Sequence, residues 1–390
     1  MQKSNTMELL KKYAMAIVLV LVILLFYFLS NKAILFPQNV NNLLSQNAYV
    51  FVLGVGMLLC ILTGGNIDLA VGSVVCFVGA IGGVLLDKDV NFVVAAIVML
   101  AVGTLVGLWQ GFWIAFVNVP PFIATLAGMY AFRGLSNVVM NGQAINLSKK
   151  EGFLNTFGGG ATCYIPDFFK GSSINITCLL AGIIGVAIFV IMTLKGRANS
   201  KKRGYEIPPL AGEIAKMAII SAVVMYVTIK LAKYQGIPTS LLWVLLVVLV
   251  FGYVTQKTRI GRYLYAVGGN KKAAQLSGVS IKKVMFFSYT FMGVLSGLAG
   301  ILTIARAASA QPTYGQGYEM DAIGACFIGG ASAYGGIGTV PGVIIGALLM
   351  GVINQGMSIC GYDANLQKIV KGIVLLVAVV FDVVSKKEKK

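Results

Sequence analysis

The sequence predicts an all-α polytopic membrane protein of about 10–12 transmembrane helices, some of them broken by glycine-rich stretches. Three observations carry that prediction. Of 390 residues, 58% are hydrophobic and only 11% are charged, against roughly 25% charged in soluble domains. The apolar residues come in runs that approach the ~20 residues of a bilayer crossing. The basic residues, which give a net charge of +18, fall in short clusters between those runs. That is the positive-inside pattern of cytoplasmic loops, not a basic face with interleaved aromatics. The charge reports orientation in a membrane, and nucleic acid is not an expected partner.

Residues 1–12 are polar and carry Lys3, Lys11 and Lys12, and the apolar run Tyr13–Leu29 follows. The run is too long for a signal-peptide core, and no small-x-small cleavage site follows in Phe28–Leu35. An uncleaved first span with its N-terminus inside is expected. Asn39–Gln46 is polar, and the apolar Ala48–Leu62 ends in LTGGNIDLAVGS, Leu62–Ser73. Val74–Leu86 is apolar again, Asp87–Asn91 is a polar turn, and Phe92–Val117 is one long span. Asn118-Val119-Pro120-Pro121 breaks it, because consecutive prolines cannot continue a helix. Phe122–Met140 is the next span and contains Arg133.

Asn141–Asn175 is long, polar and poor in positive charge, with glycines at Gly158–Gly160, and is placed outside. Lys170 is among its few cations. Ile176–Leu194 returns inside to the cluster Lys195, Arg197, Lys201, Lys202 and Arg203. Spans near Ile214–Leu231 and Ser240–Tyr253 bracket the short external turn Ala232–Thr239. Gln256–Lys283 is then a polar island holding seven cations and no acid. Val284–Ile304 leads out to Arg306–Tyr318, and Met320–Gly330, Ile337–Asn354 and Lys368–Val384 follow. The tail, with Lys386, Lys387, Lys389 and Lys390, is again inside. One membrane domain is expected, with an N-terminal span group 13–194, a span pair with the following span 195–255, the island 256–283 and a C-terminal span group 284–384. Ten crossings with re-entrant pieces is the alternative to twelve.

Enzymatic chemistry finds little support. The chain has no histidine, so the usual general base and commonest metal ligand are missing. Its six cysteines lie mostly in apolar runs and show no C-x-x-C spacing. No G-x-x-x-x-G-K-[ST] occurs, so the chain itself is expected to bind no ATP by a P-loop and no other cofactor. Asp68 and Asp321 lack the Gly-x-Gly-Asp setting of intramembrane aspartyl proteases. An ion-coupled secondary carrier remains open, because buried carboxylates serve ion coupling.

Two stretches put polar backbone at membrane depth, Gly64–Ser73 and Asp321–Gly342. Such backbone is tolerated only where it is buried in protein or lines a wet cavity, and paired breaks point to a translocation path. They share GG-x-x-x-[LY]-[AG], which hints at an internal repeat. In the island, Asn270 reads as an N-cap, Lys271, Lys272, Ala273, Ala274, Gln275, Leu276 and Ser277 as a two-turn helix, and Gly278 as its stop. Ala273 and Leu276 would share a face with Val279. So short a helix is not stable alone, and either the membrane body or a separate motor must hold it.

At this point a resemblance enters. LTGGNIDLAVGS, the FIATLAGMYAFRGL of Phe122–Leu135, TRIGRYLYAVGGNKKAAQLSGVSIKK and SAQPTYGQGYEMDAIGACFIGGASAYGGIGTVPGVIIGALL together resemble permease subunits of bacterial ribose/xylose/galactose-type ABC importers. The resemblance runs from Leu62 to the C-terminus. It implies a permease homodimer in the bacterial cytoplasmic membrane, with both termini cytoplasmic. A separate cytoplasmic ATPase subunit would bind ATP–Mg and dock on Asn270–Gly278, and an extracytoplasmic sugar-binding protein would deliver a monosaccharide. A neutral sugar needs hydrogen-bonding side chains along its path. Asn66, Asn118, Asn141, Gln143, Gln311 and Thr313 are the candidates, with the intramembrane Asp68 and Asp321. Each amide could equally be a satisfied structural group, and Asp68 is expected to brace its broken segment by accepting backbone N–H bonds. Branched-chain amino acid or nucleoside permeases of the same superfamily are the alternative.

Overall fold

A computed structural model describes residues 2–158, 163–169, 174–204 and 209–387. Gly159, Gly160, Lys170, Lys389 and Lys390, used in the sequence reading, lie outside the described residues. The fold is helical. A short antiparallel ribbon pairs β1, Ile145–Asn146, with β2, Ser309–Ala310.

Helix α1, Gln2–Leu29, is followed by α2, Pro37–Gln46, which runs through Asn47 into α3, Ala48–Leu62. The polar Asn39–Gln46 stretch is therefore the first part of one 26-residue helical span. Next come α4, Val71–Asp87, α5, Phe92–Ala115, and α6, Pro121–Met140. Pro121 starts α6 at the one helical position where a missing N–H costs nothing. After α7, Glu151–Phe157, helices α8, Ile176–Lys202, and α9, Leu210–Ala232, make a hairpin at the edge of the bundle. Arg197 and Glu213 pair across it, and its described side chains are mostly exposed. The chain continues through α10, Thr239–Lys257, α11, Arg259–Gly269, α12, Lys271–Leu276, and α13, Ile281–Ala307. It closes with α14, Tyr318–Ile328, α15, Val340–Ile359, and α16, Ala364–Lys387.

Among the described residues eight helices are long and apolar enough to cross a membrane: α2 with α3, then α5, α6, α8, α9, α10, α13 and α15. Two shorter apolar helices, Met15–Leu29 within α1 and α4, stand beside them. The run Met320–Gly330, counted as a crossing in the sequence, is only a half-helix. At 1.5 Å per residue α14 is ~16 Å long against ~30 Å of hydrocarbon.

Helix α3 lies at the centre, with every residue buried except Tyr49. The tightest helix pair is α5 on α13. A Cβ on Gly103 would stand 2.6 Å from the Gly293 carbonyl oxygen, and one on Gly107 would stand 2.6 Å from that of Tyr289. Gly293 faces them from α13 in the same way, and Gly297 packs more loosely against Met99, Leu100 and Gly103. Small residues four apart let two backbones approach this closely inside a membrane. At the end of the bundle away from the island, the Lys150 ammonium beside Asp89 ties the α4–α5 turn to the 141–151 segment. It holds that carboxyl below the usual range.

Candidate functional site

The island folds into two short helices. Thr258 caps α11 by accepting the Gly261 N–H at 3.3 Å. The helix buries Gly261, Leu264 and Val267 on one side and exposes Arg259 and Arg262 on the other. Asn270 then caps α12 by accepting the Ala273 N–H at 2.9 Å. Its C-terminus closes in a Schellman motif: Val279 N–H donates to Ala274 O and Gly278 N–H to Gln275 O, each at 3.0 Å, with Gly278 at φ +83°. The cap and stop read from the sequence are both present.

Val279 does not join Ala273 and Leu276 on one face. Ala274 is buried, with Val279 half-buried beside it, as the Schellman motif's C3–C″ contact requires. Ala273 points to solvent, and Leu276 is 83% exposed. Closing the C-terminus left-handed turns Val279 back over Ala274, so the spacing of three that grouped Ala273 with Leu276 and Val279 fails there.

The other end of α11 touches both broken stretches. Gly336 N–H donates to Leu62 O at 3.1 Å, joining the start of one break to the middle of the other. Gly268 lies against that bond, and a Cβ there would stand 1.8 Å from Leu62 O and 2.4 Å from Gly336 N. Gly65 packs as closely, since its Cβ would stand 1.9 Å from Ala333 O. Tyr265 donates its hydroxyl to Gly338 O at 2.8 Å, and Asp382 of α16 accepts the Ala333 N–H at 3.1 Å. Three backbone segments, 62–65, 265–269 and 333–338, thus meet with almost no side chain between them. Gly336, at φ +71° and in contact with Gly268 and Gly269, has no room for another residue.

Beyond this junction two helices start inside the bundle, α4 after the first break and α14 before the second. The segment after Leu62 starts α4 at Val71, and the segment 311–317 descends from β2 to start α14 at Tyr318. These two half-helices begin side by side: a Cβ on Gly315 would stand 1.9 Å from Gly72 O. Arg133 of α6 supports the descending segment by donating to Pro312 O at 3.2 Å and Tyr314 O at 2.6 Å. In the first turn of α14, the buried Asp321 accepts from Tyr49 at 2.7 Å and from Lys371 of α16 at 3.1 Å. The Tyr49 and Tyr318 rings stack 3.6 Å apart.

The residues singled out in the sequence do not converge on one place. Asp68 is buried and accepts the Ala70 N–H at 2.9 Å just before α4, the bracing expected of it. Asn66 is half-buried nearby and donates to Thr63 Oγ1 at 3.0 Å. Asn118 is exposed in the α5–α6 turn at φ +64°. Asn141 and Gln143 are exposed by the ribbon, Thr313 is exposed in the descending segment, and Gln311 there accepts from the Cys76 thiol through its carbonyl. Sequence reasoning missed Tyr49, Tyr265, Lys371 and the α5–α13 contact. Only the last left a signal, the four-residue spacing of Gly103, Gly107 and Gly111 and of Gly293 and Gly297.

Eight described helices long and apolar enough to cross a membrane, with α4 and α14 begun inside the bundle, are the architecture of a multi-pass membrane protein. Residues 39–379 match the family described as branched-chain amino acid transport system / permease component. The chain belongs to this family of transport permeases and is not an enzyme. It is similar to the xylose transport system permease protein XylH of Haemophilus influenzae, 36% identical over 97% of this chain and 98% of that one. XylH of Escherichia coli K12 is 34% identical over 97% and 93%. The ribose import permease protein RbsC of Escherichia coli K12 is 35% identical over 88% and 85%. No solved structure matches the chain.

Proposed function

We propose that this chain is the permease of an ABC importer for a monosaccharide, a pentose such as xylose, working as a homodimer in a bacterial cytoplasmic membrane. The observation that carries the reading is α12 itself. It is a pre-capped helix whose one large apolar side chain, Leu276, projects away from the protein, while α11 next to it rests on both helix breaks. A separate ATPase subunit that binds ATP–Mg receives α12 on the cytoplasmic side, where both termini also lie. A sugar-binding protein docks at the opposite end. Nucleotide-driven closure of the ATPase pair pushes α12, and the 62–65, 265–269 and 333–338 contacts pass that push to α4 and α14. The choice of a pentose rests on the likeness to two xylose permeases over nearly the whole chain.

Crosslinking from Gln275→Cys, an exposed position on α12, in native membranes tests the docking. Capture of a nucleotide-binding subunit is expected. An uncaptured chain that still transports, and stops when the ion gradient collapses, would establish an ion-coupled carrier instead. Leu276→Asp is expected to abolish transport-coupled ATP hydrolysis while leaving the melting temperature unchanged, because the side chain touches little of this chain. Normal transport by that variant would refute α12 as the lever.

A further inference from the structure

Helix α10 carries an unbroken exposed stripe. Leu242, Leu245, Leu246, Leu249, Val250 and Tyr253 recur at the three- and four-residue spacing of one helix face, and all are exposed. The opposite face, with Val244, Val247 and Phe251, is buried against the bundle. On a helix long and apolar enough to cross a membrane, such a stripe faces lipid chains. One turn further the same face changes character. Gln256 and Lys257, three and four residues past Tyr253, are exposed as well. Tyr253 stands at the border, where an amphipathic ring suits the level between chains and headgroups.

The next helix continues the change. Arg259, Arg262, Tyr263 and Ala266 share the exposed face of α11, opposite the buried Gly261, Leu264 and Val267. Lys257, Arg259 and Arg262 belong to no ion pair among the described residues, and no acid occurs from residue 256 to 283. Two of these cations lie at the start of α11, the helix end where positive charge is unfavourable. An anion from outside the chain would relieve them.

We propose that the corner between α10 and α11 binds an anionic phospholipid, its chains along the stripe and its phosphate on Lys257, Arg259 and Arg262. Charge complementarity and the order of the surface argue for that occupant: chains, then aromatic ring, then cations, as in one leaflet. An ATPase surface would account for the cations but not for the apolar stripe that runs into them. A second permease copy packed on the stripe about a two-fold axis would present the same patch to itself, cations included. The site also enters the coupling proposed above, and this part of the inference rests on that reading. Helix α11 touches the second break through Tyr265 and Gly268, so a lipid held at its start steadies the far end of the helix that passes the push. Anionic lipid then raises the amount of solute moved per ATP.

The test uses the complete importer in vesicles, with Gln256→Cys in a Cys360→Ser background, where the remaining native cysteines are buried. The new thiol carries a bimane fluorophore. Its quenching by spin-labelled phosphatidylglycerol is compared with that by phosphatidylcholine bearing the same label at the same mole fraction. Phosphatidylglycerol is expected to quench several-fold more strongly. Each of Lys257→Gln, Arg259→Gln and Arg262→Gln should weaken that preference on the order of fivefold, with the melting temperature unchanged because these side chains are exposed. Equal quenching by the two lipids overturns the site. Quenching by neither also overturns it, by showing that the ATPase or a second copy covers the corner. In parallel, radiolabelled xylose moved per ATP should rise several-fold when phosphatidylglycerol is added to phosphatidylcholine vesicles, and the triple variant should lose that rise. Selective quenching without the rise overturns the regulatory role alone. Quenching requires neither solute nor lever, so failure of α12 as the lever leaves the lipid site standing.

Discussion

The junction of Gly268 with the two breaks gives the sharpest prediction, because its neighbour supplies a control. Gly268→Ala places a methyl carbon 1.8 Å from Leu62 O, 2.4 Å from Gly336 N and 2.9 Å from Gly336 Cα, all of them backbone atoms that cannot rotate aside. The Gly336 N–H to Leu62 O bond, 3.1 Å long, must open. Leaving a buried backbone pair unmade costs about 1–3 kcal/mol, and overpacking adds about 1–3 kcal/mol. Gly269→Ala, one residue on, meets nothing within 4 Å. Alanine is also the better helix former there by up to ~1 kcal/mol. In detergent, Gly268→Ala should melt several degrees below wild type, while Gly269→Ala matches or exceeds it. In proteoliposomes Gly268→Ala should lose transport out of proportion to its loss of folded protein, since the contact proposed to carry motion from α12 would be pried apart. If the two alanine variants melt and transport alike, the junction is not the mechanical link described here.

Lys371→Met leaves Asp321, 2% exposed, as an uncompensated buried carboxylate. A loss of about 3–5 kcal/mol is expected, with much of it recovered in the Lys371→Met, Asp321→Asn double variant, as a thermal-melt cycle would show. Gly107→Val drives a side chain into the Tyr289 carbonyl and the Gly293 Cα. It should destabilise by about 1–3 kcal/mol or more, whereas Gly134→Val, facing open space on α6, should pass the same melt with little change.

The span pattern, the broken stretches and the α12 caps were legible because each is local. Hydrophobic runs, Gly-Gly pairs and an Asn–Gly bracket around a short helix state their structure within a few residues. What the sequence could not reveal is which distant residues meet. Lys371 reads as one more lysine in a C-terminal apolar run, and only the packing of α16 on α14 makes it the partner of Asp321. Tyr49 is likewise unremarkable until the start of α14 lies beside it. Val279 leaves the face of Ala273 and Leu276 because the left-handed turn at Gly278 folds it back over Ala274, which a repeat of three cannot anticipate. The run Met320–Gly330 read as a crossing because the half-helix α14 has the composition of a whole one.

The α5–α13 pair has a further consequence. Where leucines interdigitate, one helix can roll past another by exchanging rotamers, but at Gly103, Gly107 and Gly293 backbone meets backbone with no side chain to rearrange. Sliding or tilting these two helices would drive backbone into backbone, so they act as a fixed post. In the mechanism proposed above, the strokes of a transport cycle would fall to what hangs on that post: α11 and α12 at one end, α4 and α14 within, and α16 fastened to α14 at Asp321 and to the second break at Ala333. A spectroscopic ruler fixed between α5 and α13 should read a constant length while one from α16 to α5 changes with each turnover.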